Sequence, residues 1–202
     1  IEGGGHRVLI DPFLTGNPKA DVKPGDFGGL DAIVVTHGHG DHLGDAVEIA
    51  KSTGALIVSN YEIIGYCAAH GAKGHPMHIG GGRAFPFGHV KLTIAHHGST
   101  GPHGEPLGNP AGVVLTCGGR KVYHAGDTER FPEMKTFSTD VAMLPLGQTF
   151  TMNTVQEAVD AALDLKARIA IPIHWGNAEG TLADANFFVG QLSGRMQAMV
   201  NT

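Results

Sequence analysis

Apolar residues along this chain fall into short runs with two different spacings. Compact β-branched and aliphatic runs over residues 7–10, 32–35, 55–59, 83–87, 90–95, 112–117, 120–124, 141–146 and 168–173 predict strands. Between them, Leu43, Ala46, Val47 and Ala50 recur at helical spacing with Gly54 as the stop, and a second helix is predicted over 61–69. A third runs from a cap at Asn153, with Gln156 completing a capping box, to about Lys166, and a fourth from Thr181 through Leu192 with Asp184 as box partner. Gly118-Gly119 reads as a two-residue hairpin turn, residues 74–82 as a turn-rich connector, and 13–29 and 99–110 as polar Gly/Pro-rich loops. An aperiodic loop as long as 99–110 in a compact domain is more often functional than not. The opening residues look like a hairpin entered halfway, and 197–200 like a strand begun and not finished, so terminal strands are expected beyond both ends. Strands interleaved with helices give an α/β class, and the length gives one domain over 1–202.

The chemistry gathers where strands stop. The run 32–35 passes directly into Thr36-His37-Gly38-His39-Gly40-Asp41-His42, three imidazoles and a carboxylate within six residues. Alternate side chains of an extended backbone share one side, so His37, His39 and Asp41 can converge, and the interleaved glycines let the chain bend. Imidazole and carboxylate suit zinc, manganese or iron, and so many donors in one turn point to more than one ion. Three further strands end in His97, Asp127 and His174. Ligands at strand ends of a layered α/β protein lie on one rim.

Composition narrows the partners. Histidine is abundant and dispersed at 13 residues, and the net charge of −5 comes without a Lys/Arg cluster, which argues against nucleic acid. No apolar run approaches the ~20 residues that span a bilayer. Cys67 and Cys117 each sit in an apolar segment and read as buried free thiols in a reducing cytoplasm. The expected partner is a small-molecule substrate, with a homo-oligomer left open.

His-x-His-x-Asp-His, a later His-Gly, Ala125-Gly126-Asp127-Thr128 and a strand-end histidine together resemble the metallo-β-lactamase-fold hydrolases over nearly the whole chain. Leu9-Ile10-Asp11-Pro12-Phe13, His75-Pro76-Met77-His78-Ile79-Gly80-Gly81 and Tyr123-His124 before the aspartate turn are similar to the branch near ascorbate-6-phosphate lactonase. The resemblance implies a four-layer αββα sandwich, two mixed sheets flanked by helices, with metals at one edge. It implies His37, His39 and His97 on one metal, Asp41, His42 and His174 on a second, and Asp127 bridging. His97 is chosen over its neighbour His96 because it precedes glycine. Two cations roughly 3.5–4 Å apart need such a bridging carboxylate, and together they supply a hydroxide nucleophile at neutral pH. Zinc is favoured, with manganese and iron accepted. The chain departs from the family pattern in lacking an opening Gly-His-Ser strand, in a curtailed closing strand, and in Gln148 where relatives carry Asp.

The expected activity is a dinuclear hydrolase acting through a metal-bridging hydroxide on a small ester, lactone or phosphoester. Asp41 is the proton acceptor, and His78 is a second catalytic candidate as a substrate or relay group. His124 reads as a residue orienting a ligand or as core, and Ser99 and Thr100 as anion contacts or ordinary turn formers. The rival readings are a nuclease or phosphodiesterase, a non-catalytic metal scaffold, and a di-iron redox protein. No Gly-x-Ser-x-Gly elbow supports a serine hydrolase.

Overall fold

A computed structural model describes residues 1–200. One sheet holds β1 (Glu2–Gly3), β2 (His6–Ile10), β3 (Ala32–Val34), β4 (Leu56–Asn60) and β5 (Gly74–Met77) in that order. Only β1 against β2 is antiparallel. The other holds β6 (Gly82–Phe85), β7 (Gly88–Ile94), β8 (Ala111–Cys117), β9 (Arg120–His124), β10 (Val141–Pro145), β11 (Ile169–Ile173) and β12 (Gln197–Ala198), also in order along the sheet. It is antiparallel from β6 to β9 and parallel from β9 to β12.

Period-two alternation assigns the strand residues to three apolar layers. Val8, Ala32, Val34 and Val58 face Val90, Leu92, Val113 and Leu115 between the sheets. Their neighbours Ile33 and Ile57 turn outward onto α2 (Ala46–Thr53) and α3 (Tyr61–Ala69), where Ile49, Ile63 and Ile64 cover them. On the opposite side Tyr123, Ala142, Leu144 and Ala170 pack beneath α4 (Val155–Asp164) and α5 (Leu182–Leu192), through Val159, Ala162 and Phe188. The architecture is therefore the expected αββα sandwich of two mixed sheets. Cys67 and Cys117 are buried free thiols in different layers.

Three boundaries differ from the sequence expectation, each for a local reason. The stretch 74–82 is more than a connector, because Gly74–Met77 pair with β4 as an edge strand where Pro76 needs no N–H partner. Gly, His and Pro carry no apolar alternation, so the strand is invisible to periodicity. The α4 cap lies one residue later than expected: Thr154 Oγ1 accepts from the Glu157 N–H (3.2 Å), while the Glu157 carboxylate accepts from the Asn153 N–H (3.0 Å). The helix after the His-rich stretch is also split. A single turn, α1 (Gly40–Leu43), stops at Gly44 (φ 43°, ψ −128°), and α2 starts after Asp45.

That split fastens the site to the loop after β2. A Cβ at Gly44 would stand 2.4 Å from the Pro12 carbonyl oxygen, and the Asp45 N–H donates to that same oxygen (2.9 Å). The Asp45 carboxylate accepts from the Leu14 and Thr15 N–H groups (2.9 and 2.8 Å). Burial raises its pKa, but these bonds outweigh burial and hold it below the ordinary carboxylate value.

Gly44→Ala combines overpacking with a left-handed backbone, so it should cost more than about 2 kcal/mol, read from the urea midpoint. Asp45→Ala should cost about 1–3 kcal/mol at pH 7. Because the folded carboxyl lies below the unfolded value of about 3.9, its contribution is full above that pH and is lost as pH falls through the folded value. Denaturation curves of wild type and variant should accordingly begin to converge only below about pH 4.

Candidate metal centre

The His-rich stretch leaves β3 on the rim where the parallel strands end. Its geometry is set by Asp11, which follows β2 with a left-handed backbone (φ 48°). Asp11 Oδ1 accepts from the Thr36 N–H (2.8 Å), and Oδ2 accepts from Thr36 Oγ1 (2.6 Å) and His42 Nδ1 (2.8 Å). Thr36 spends its only proton on Asp11, so the 3.0 Å contact with His37 requires His37 Nδ1–H to donate to Thr36 Oγ1. One carboxylate thus holds both Nδ1 atoms, directly or through Thr36, and turns Nε2 of His37 and of His42 toward the cluster. Ser99 pins the far side, accepting from the Gly38 N–H (3.0 Å) and donating to the Leu107 carbonyl (3.1 Å). Asn60 ties the same loop to the α3 N-terminus by donating to the Leu107 and Asn109 carbonyls.

Three groups of donor atoms follow, each with its atoms within 4.8 Å of one another: His37, His39 and His97; His37, His42 and Asp127; and Asp41, His42 and His174. The first and third correspond to the two sets expected above. Asp127 faces both: Oδ1 lies 3.3 Å from His42 Nε2, and Oδ2 lies 3.6 Å from His97 Nε2 and 3.2 Å from His174 Nε2. Asp41 Oδ2 lies 3.4 Å from His174 Nε2. His174 holds its place with a left-handed backbone (φ 54°), a conformation costing about 1–3 kcal/mol in a non-glycine residue.

The donor set fits divalent cations. His42 Nε2 and Asp127 Oδ1 are buried without a hydrogen-bond partner, although both point into the cluster. The His37, His39 and His97 rings crowd to centroid separations of 4.7–5.1 Å, with His37 Nε2 only 3.1 Å from His39 Nδ1. Burial, helped by the charge on His42, pushes the His37 pKa down to about 3 and lowers His97 as well, so both offer lone pairs. Burial also opposes a charge on His42 and His174, but Asp11 and Asp127 raise His42 to about 10, and Asp127 and Asp41 raise His174 to about 9. Asp41 falls to about 2, chiefly through its bond with His174. Asp41 and Asp127, which with Asp11 hold protons on these imidazoles, offer the same negative field to a metal ion.

Asp41, His42 and His174 line one wall of a cavity of about 800 Å³, which also carries Phe13, Met143, Ile171, Trp175 and Leu182. His124 is buried behind them, its Nδ1 accepting from the Gly126 N–H (3.1 Å), and burial lowers its pKa.

The other candidates fall elsewhere. His78 is exposed in the turn after β5, with Nδ1 3.2 Å from the Ile79 carbonyl, and belongs to none of the three donor groups. Local sequence placed it beside glycines that could have reached inward, but the turn presents it to solvent. His96 turns outward to Glu129 (2.9 Å), while its neighbour His97 enters the cluster. His75 packs edge-on against Phe85. Ser99 is consumed by backbone bonds, and Thr100 is exposed beside it. Asp11 has a role that the residues alone did not assign; the signal was a carboxylate ending the strand that lies next to β3.

The Beta-lactamase superfamily domain matches residues 6–175. A Pelotomaculum thermopropionicum protein named UPF0173 metal-dependent hydrolase is 48% identical over 180 residues, covering 85% of this chain and 78% of its own. A Geobacillus protein of the same family name is 45% identical over 200 residues, covering 95% and 88%. Among solved structures, Igni18, a metallo hydrolase from the archaeon Ignicoccus hospitalis, superposes with a TM-score of 0.86 at 32% identity, covering 99% of this chain and 89% of that one.

Asp11→Asn preserves the size and the left-handed backbone but sets an amide opposite His42. It should weaken zinc binding about 10–100-fold in a competition titration, as loss of a carboxylate behind a ligating histidine does.

Proposed function

The chain belongs to the β-lactamase superfamily and is a metal-dependent hydrolase, and on that premise we propose that it works with two divalent ions on a small ester, lactone or phosphoester. His37, His39 and His97 would hold one ion, and Asp41, His42 and His174 the other, with Asp127 shared. The observation that carries this reading is the pair of adjacent donor groups that face the buried Asp127, one of which, Asp41, His42 and His174, lines a cavity. Bound ions would supply Lewis acidity and draw the pKa of water toward neutrality. Zinc is the favoured ion, and manganese and iron suit the same donors.

The chain's own residues have separable tasks. Asp41 is half-buried at the cavity wall and stays ionised, so it serves as the acceptor for the proton of the attacking water. Asp11 and Thr36 orient His42 and His37, and Asp127 supplies negative charge between the two donor groups. Phe13, Ile171 and Leu182 give the cavity apolar surface against which a small substrate would pack. A cavity of this size suits a small molecule. The net charge of −5 and the buried free thiols support a small-molecule substrate over nucleic acid, and a reducing cytoplasmic setting.

Protein stripped with chelator should be inactive on ester, lactone and phosphodiester panels and should recover with added Zn²⁺, Mn²⁺ or Fe²⁺; recovery with none of them sinks the reading. Asp41→Ala should lower kcat/KM by about 10²–10⁴-fold while leaving the thermal midpoint within a few degrees. Full turnover by that variant would remove Asp41 from the mechanism.

A further inference from the structure

The cavity carries one positively charged group that the donor sets do not use. The loop after β2 lays Lys19 over the ring of Trp175, its ammonium 4.4 Å from the centroid. Trp175 is the chain's single tryptophan, and its indole N–H donates to the Pro172 carbonyl (3.1 Å), which fixes the ring. Gly176 (φ 81°) makes room for the lysine: a Cβ there would stand 2.3 Å from Nζ and 2.8 Å from Cε. Asn17 shapes the approach, donating to the Phe13 carbonyl and accepting from the Lys19 N–H (both 3.0 Å).

Among the described residues the Lys19 ammonium has no carboxylate within 4.0 Å. Besides Asp11 and Asp41, two carboxylates line the same cavity, Asp21 and Glu179. Glu179 is engaged by the Thr149 and Phe150 N–H groups (2.8 and 3.2 Å), and Asp21 forms no ion pair with the lysine. The result is a cation steadied by an indole face, with donors still free, lining the same cavity as Asp41 and His174.

We propose that Lys19 recognises an anionic group, a carboxylate or phosphate, at the end of the substrate remote from the bond that is cleaved. The substrates are then small anionic esters, lactones or phosphoesters, and Lys19 is a specificity residue acting by charge. This substrate class rests on the hydrolase reading of the centre, but anion binding at Lys19 can be measured without turnover. Trp175 reports on its own neighbour, because an oxyanion drawn to Lys19 changes the charge beside the indole.

Metal-free protein is titrated with inorganic phosphate and, separately, with acetate while Trp175 fluorescence is followed; the two anions separate phosphate from carboxylate recognition. Wild type should respond to at least one, Lys19→Arg should retain the response, and Lys19→Gln should bind about tenfold more weakly. A silent wild type, or an unchanged response in Lys19→Gln, overturns the proposal. With metal-loaded enzyme, Lys19→Gln should raise KM for mono-4-nitrophenyl succinate about tenfold more than for 4-nitrophenyl acetate, with similar kcat on each. Equal effects on the two esters count against Lys19 as the anion site. A wild-type enzyme that cleaves neither these esters nor a phosphodiester panel breaks the hydrolase reading instead, and the fluorescence titration then decides Lys19 alone.

Discussion

A carboxylate buried at the end of a strand is costly unless it is fully bonded, and Asp11 is bonded on both oxygens. Its three donors are the groups that must be placed for the centre to exist: the Thr36 backbone, the Thr36 hydroxyl and the His42 ring. Burial penalises the charge, and the bonds and neighbouring imidazoles more than offset it, so the Asp11 pKa is lowered. The rest of the site inherits this constraint. The His37 tautomer follows through Thr36, and the orientation of His42 follows directly. The left-handed backbone at Asp11 turns the chain into the Pro12 contact that forces glycine at position 44.

The layering was legible because it depends on a local property. Where two faces of a strand are both buried, as in 32–35, 55–59 and 112–117, the run is continuously apolar and stands out. Helices with one buried face announce themselves by spacing. The edge strand Gly74–Met77 was hidden because its pairing comes from the exposed edge of β4 and not from its own side chains. The displaced cap at Thr154 shows the same limit, since Asn153 and Thr154 are both competent caps and only the packing of α4 selects between them.

The clustered candidate donors were legible for a different reason. Four lie within one short segment, and the other three sit at ends of predicted strands, where a layered fold gathers side chains. Proximity of the two histidines at 96 and 97 left one choice to a family likeness, and the alternation of the chain after β7 sends them to opposite sides. His78 marks the limit of local chemistry: flanking glycines permit many directions and specify none. Asp11, Lys19 and Trp175 depend on neighbours far away in sequence, so no window of residues could have joined them.

The proposed donors do not come from one sheet. His37, His39, Asp41 and His42 follow β3, whereas His97, Asp127 and His174 follow β7, β9 and β11 of the facing sheet. Each ion would therefore be grasped from both halves of the sandwich, making it a clasp across the interlayer seam. Occupancy then becomes coupled to closure: an ion that binds only the docked sheets adds RT ln(1 + [M]/Kd) to the work of prising them apart. During synthesis the last donor, His174, is made only after β1 to β11, so metal acquisition would be a late event of folding and not its seed.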